Sequence, residues 1–133
     1  EHNRQFHVET VAVYRCPSTE LATGQTSYSV IVGESTAFQA GEGKSLDGFG
    51  ITLMLVTERE EAVCWMDPTS ELTEAVASSG VKPQGEHFPG IVSPHPGGVN
   101  AAFRDGNTRF ISETLDLSLL AGLLDGTAER HQD

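Results

Sequence analysis

The chain has 133 residues, 38% of them hydrophobic and 7% aromatic, enough for one modest core and too few for two independent ones. Nineteen acidic residues against eight basic ones give a formal charge of −11, a field that repels phosphate backbones and anionic lipid surfaces and argues against nucleic-acid binding. Fourteen glycines and six prolines suit a turn-dense, short-stranded protein better than a helical bundle, and there is no run of about 18 apolar residues to span a membrane.

From the N-terminus, His7 to Arg15 reads as a strand, with Val11 and Val13 on one face and Val8, Ala12 and Tyr14 on the other, ended by Cys16-Pro17-Ser18. Tyr28 to Val32 is a second strand, stopped by Gly33, and Ser35 to Gly48 follows as a glycine-bearing loop. Ile51 to Thr57 is the most hydrophobic run and predicts a central strand covered on both faces. Ala62 to Met66 then returns as its antiparallel partner across a charged Glu58-Arg59-Glu60-Glu61 turn. Asp67-Pro68 has the form of a helix start, an N-cap followed by proline, and predicts a short helix to about Ala77 that Gly80 stops. Val81 to Pro94 is too punctuated by proline and glycine for regular structure. After it, Val99 to Ser112 predicts a hairpin about Asp105-Gly106, a two-residue type I′ turn in which Phe103 faces Thr108 and Ala101 faces Phe110. Asp116 then caps a short helix that presents Leu117, Leu120, Ala121 and Leu124 on one face and ends at Gly126. The order gives one α+β domain over residues 1–133, an antiparallel β-sheet with short helices and without the βαβ alternation of nucleotide-binding folds.

His95, nine intervening residues and then Asp105-Gly106 form a fixed spacing within the hairpin region. With Cys16-Pro17-Ser18, the run Thr26 to Glu34 and Trp65-Met66-Asp67-Pro68, in that order, the chain resembles the His-x9-Asp-Gly prepilin-like proteins. These are abundant in planctomycetes and are often catalogued as a domain of unknown function. The resemblance covers roughly Val11 to Glu129. It departs at Gly24-Gln25, where relatives carry Asp-Gly, at Tyr28, where they carry asparagine, and at Cys64, where proline or another small residue is expected. The resemblance implies a pilin-like globular head lacking its N-terminal helix, which packs against the sheet in full-length relatives. It further implies export to the periplasm or cell surface and membrane anchoring through that helix alone.

Candidate chemistry is sparse. Cys16 and Cys64 are compatible with one disulfide in the oxidising space that the resemblance implies; the other reading is two free, partly buried thiols. His95 and Asp105 invite a ligand or acid-base role, yet about five strand residues at about 3.3 Å each separate them, so a loop histidine and a turn-capping aspartate are the simpler expectation. His87, in the same irregular stretch as His95, could join His95 and Asp105 to hold a small ligand or cation, although no zinc-type spacing is present. Glu34, Asp47, Asp67 and Asp105 could supply oxygens to Ca²⁺, without the regular acidic spacing of an EF-hand. No nucleophile elbow or complete phosphate loop occurs, and the lone Trp65 is better read as packing than as a sugar platform. The expectation is a non-enzymatic, exported pilin- or pseudopilin-like structural subunit with no cofactor, working with other pilin-like subunits or type II secretion-system proteins. The alternative is a periplasmic or surface binding module for a small ligand or divalent cation.

Overall fold

A computed structural model describes residues 2–39, 42–43, 45, 47, 54–67, 69–83 and 88–128. The β1 (Gln25–Val32), β2 (Phe38–Gln39), β3 (Glu42–Gly43), β4 (Met54–Cys64), β5 (Leu72–Thr73), β8 (Gly98–Phe103) and β9 (Thr108–Ser112) strands form one sheet in the order β3-β2-β1-β4-β8-β9, with β5 also on β1. β6 (Val81–Pro83) and β7 (Ile91–Ser93) make a separate parallel pair. Two short helices complete an α+β fold, α1 (Glu74–Ala77) and α2 (Leu117–Asp125). The central ladders β1·β4, β4·β8 and β8·β9 are antiparallel as expected, whereas β2 and β5 join β1 in parallel, so the sheet is mixed.

Residue alternation gives the sheet two faces. Ile31, Val99, Ala101, Phe103 and Ile111 point inward and are buried with Leu72, Ala77, Val81, Ile91, Leu120 and Leu124 in one core. The α2 helix closes that face. Its Asp116 cap accepts from the Ser118 amide at 2.8 Å and Gly126 ends it in the left-handed region, both as the sequence predicts. Leu120 and Leu124 are buried, but Leu117 is exposed, so the helix buries a narrower stripe than its pattern offers.

Several expectations are corrected. Residues 7–15 do not form a strand: 3₁₀ turns at His2–Val8 and Ala12–Tyr14 carry the chain across the sheet rather than along an edge, leaving Val8 and Val13 69% and 80% exposed. The charged segment after Thr57 is not a chain reversal. Pairing jumps from Tyr28↔Glu58 to Thr26↔Val63, so residues 59–62 lie opposite Ser27 alone, and β4 absorbs them as a large bulge within one continuous strand. The expected helix start at Asp67 is instead a turn, in which Asp67 accepts from the Thr69 amide and hydroxyl; Pro68 lies outside the described residues. Leu72–Thr73 is recruited by β1, and the helix begins only after Thr73, whose hydroxyl accepts from the Val76 amide at 3.3 Å. Parts of the stretch 81–94 expected to be irregular do pair, as β6 and β7.

The hairpin is present with its register moved by one. Val99 faces Ile111 and Asn100 faces Phe110. The Gly106 amide donates to the Phe103 carbonyl at 3.0 Å and the Phe103 amide to the Asn107 carbonyl at 3.0 Å, which makes Arg104, Asp105 and Gly106 a three-residue loop. Only Gly106 of the three has positive φ, +80°, so this is a type I turn followed by a left-handed glycine rather than a type I′ turn. One added loop residue turns Phe110 to the outer face, where it is 53% exposed, and brings Arg109 inward over the Phe103 ring at 4.6 Å.

Candidate functional site

The outer face of the central strands is the floor of an open cleft of about 660 Å³. Val30, Val56, Ala102 and Thr108 run across four strands as one register row, and Tyr28, Glu58, Asn100 and Phe110 form the next. Val13, Tyr14, Cys16 and Pro17 form one wall. That segment is tied down at several points. The Thr26 hydroxyl donates to the Tyr14 carbonyl at 2.6 Å, Trp65 Nε1 donates to the Glu9 carbonyl at 3.0 Å, and the Tyr14 and Trp65 rings meet with centroids 5.8 Å apart. Trp65 thus has the packing role that its sequence context favours. A turn through Cys16-Pro17-Ser18-Thr19, with proline pre-setting φ at its second position, delivers the Cys16 side chain inward.

Three chemistry-bearing side chains meet there. Cys16 Sγ lies 3.5 Å from His95 Nε2, and the same nitrogen lies 3.1 Å from Glu58 Oε1. Glu58 is only 2% exposed, yet its other oxygen, Oε2, accepts from the Asn100 amide at 3.1 Å and from Asn100 Nδ2 at 3.2 Å. The carboxylate therefore stands in for a strand partner at the point where β8 leaves the ladder with β4. Burial, and then electrostatic interaction with Cys16 and Glu58, raise the Tyr28 phenol above its ordinary value.

His95 is positioned by its own loop. Its amide donates to Ser93 Oγ at 3.1 Å, Gly97 takes φ +85°, and a Cβ on Gly98 would fall 2.1 Å from the Ile111 carbonyl oxygen. The Pro96-Gly97-Gly98 turn thus lets the chain enter β8 close against β9 while the imidazole points into the cleft.

A nucleophilic triad uses both imidazole nitrogens, one toward the thiol and one toward the carboxylate. Here Nε2 faces both, so the arrangement converges on a point instead of relaying a proton along a line. Among the described residues, Cys16, Glu58 and His95 are the group whose ligand atoms gather, all within 4.8 Å of one another.

The residues singled out in the sequence are distributed differently from expectation. His95 is in the site, but Asp105 is at the far end of the hairpin, paired with Arg109 and accepting from the Asn107 amide at 3.0 Å, so the two do not form a ligand pair. His87 lies outside the described residues. Cys16 and Cys64 are free thiols. Cys64 sits opposite Gln25 on β4 and is not in the cluster that Cys16 joins. Glu34, Asp67 and Asp105 do not enter the cluster; the Asp47 carboxylate accepts from Ser45 Oγ at 2.8 Å.

Glu58, Asn100 and Tyr28 are the residues that sequence reasoning missed. Glu58 has the same parity as Val56 in an uninterrupted β-prone run, and that parity was the available signal; its place in a cluster of charges masked it.

Residues 26–118, the greater part of the chain, match the model of a family described as a protein of unknown function (DUF1559). No curated protein and no solved structure matches the chain.

Proposed function

The chain belongs to the DUF1559 family, and on that premise we propose that it is the globular head of an exported pilin- or pseudopilin-like structural subunit, without catalytic activity. The observation that carries the reading is the sheet's unequal coverage. One face is closed over the core, while the other, floored by Val30, Val56 and Ala102 and edged by the exposed Tyr14 and Phe110, is left as an open, mostly apolar cleft. An amphipathic helix laid along such a face would bury it as α2 buries the opposite one. In this reading a hydrophobic N-terminal helix supplies that cover and the membrane anchor, and the partners are other pilin-like or secretion-system subunits at the periplasmic or cell surface.

The test is to read and translate the coding sequence upstream of Glu1. A prepilin-peptidase site followed by about 20 apolar residues is expected. A cleavable signal peptide alone, or no export segment, overturns the scaffold reading.

A further inference from the structure

We propose that Cys16, Glu58 and His95 form a binding site for a single thiophilic divalent cation of the zinc class, which clasps the N-terminal segment to the sheet. The proposal goes beyond the scaffold reading and stands on the local geometry alone.

The donor set is the first argument. A thiol sulfur, an imidazole nitrogen and a carboxylate oxygen are the three ligand types that zinc accepts, at about 2.3, 2.0 and 2.1 Å. Tetrahedral angles at those bond lengths place sulfur and nitrogen about 3.5 Å apart and nitrogen and oxygen about 3.3 Å apart. The observed separations are 3.5 Å for Cys16 Sγ to His95 Nε2 and 3.1 Å for His95 Nε2 to Glu58 Oε1. Ca²⁺ and Mg²⁺, which select oxygen, do not suit sulfur and nitrogen donors.

The second argument is that one imidazole nitrogen cannot serve both of its neighbours without a cation between them. Nε2 carries at most one hydrogen, so it can donate to Cys16 or to Glu58 but not to both. If it carries none and the thiol donates to it, its lone pair is occupied and Glu58 Oε1 faces it without a proton between them. A cation at the centre lets all three atoms present lone pairs at once. It also places positive charge beside a carboxylate that is 2% exposed. The adjacent Arg59 does not serve that purpose, because its guanidinium reaches Ser29, the Ser70 carbonyl and Glu61 instead.

The third argument is preorganisation. Asn100 holds Glu58 Oε2 with two donors and leaves Oε1 aimed at His95, the outer support that ligating carboxylates require. Three protein ligands leave a fourth position for water on the cleft side, which Tyr28 also lines. The ion would join the segment before β1, strand β4 and the loop before β8, across 79 residues of sequence between Cys16 and His95.

The experiment is a Co²⁺ titration of the chelator-stripped chain under reducing conditions, followed by Zn²⁺. One equivalent of Co²⁺ should produce a thiolate-to-cobalt charge-transfer band that Zn²⁺ abolishes, and one equivalent of Zn²⁺ should raise the melting temperature. The chain has two cysteines, so Cys64→Ser, which leaves the site untouched, assigns the thiolate: the band should persist in that variant. It should vanish in His95→Ala and survive His7→Ala, and Asn100→Ala should weaken binding about 10- to 100-fold. No charge-transfer band in the unmodified chain, or a band lost in Cys64→Ser, overturns the proposal. Neither result depends on whether a helix precedes Glu1, so this proposal and the scaffold reading can fail separately.

Discussion

The two faces of the same central strands are built by opposite rules. On the inner face Ile31, Val99, Ala101, Phe103 and Ile111 bury carbon against carbon under α2. One residue away on each strand, the outer face carries Tyr28, Glu58 and Asn100, with His95 and Cys16 brought over them by a loop and by the N-terminal segment. The inner face follows period-two patterning, with the small polar Ser29 and Thr57 buried in the row of Ala101. The outer face is specified by pairings between residues far apart in sequence, and its buried carboxylate is tolerable only because each of its oxygens has a partner. Packing carries stability on one side, and polar convergence carries specificity on the other.

That contrast predicts a ranking of mutational effects. Phe103→Ala removes a side chain 2% exposed from the closed face and should destabilise by about 3–5 kcal/mol, measured by urea unfolding; a change under about 1 kcal/mol would mean that this face is not the core. On the open face, Glu58→Ala strands the Asn100 amide and should cost about 1–3 kcal/mol. Hydrogen exchange should localise the damage to Asn100 and its neighbours while the α2 amides remain protected; uniform loss of protection would make Glu58 part of the same cooperative core and break the comparison.

The hairpin links the two faces, because its loop length decides which side chains each one receives. Gly106→Ala meets no steric obstacle, with nothing within 4 Å of the added Cβ, so its expected cost of about 1–2 kcal/mol is that of left-handed backbone alone. A stabilised variant would show that the loop does not hold that conformation. The smallest effect belongs to the exposed cap of α2. Asp116→Ala should lower stability near neutral pH by less than any of the changes above. Hydrogen bonds from the Ser118 side chain and amide hold the Asp116 carboxyl below its ordinary value. Its stabilisation is therefore complete above the unfolded value of about 3.9 and is lost as pH falls through the lower folded one. Wild type and variant should converge in stability at acid pH; a gap that widens there would contradict the cap assignment.

How far each face was legible in the sequence follows from the same distinction. The α2 helix announces itself through Asp116, Gly126 and leucine spacing, and strand β1 through its β-branched run, because local chemistry decides both. The charged residues after Thr57 correctly mark an irregularity, but whether three surplus residues reverse a strand or bulge it depends on what Thr26 and Val63 do across the ladder. The hairpin register turned on one residue, since Asp-Gly fits both a type I′ turn and the end of a three-residue loop. Cys16 and His95 each stand out by motif, yet nothing local joins residues 79 apart, and the charges that follow Glu58 give it the look of a turn residue. The His95-to-Asp105 spacing drew attention to the right loop and the wrong partner.

The most direct measurement is a crystal structure of the chain soaked with Zn²⁺, with anomalous data collected across the zinc edge. One peak is expected on the outer face, about 2.0–2.3 Å from Cys16 Sγ, His95 Nε2 and a Glu58 oxygen, with Asn100 still holding the other oxygen. A peak at Cys64 or on surface carboxylates only, or an empty map with the three side chains in their metal-free contacts, would contradict the assignment of the open face as a cation site.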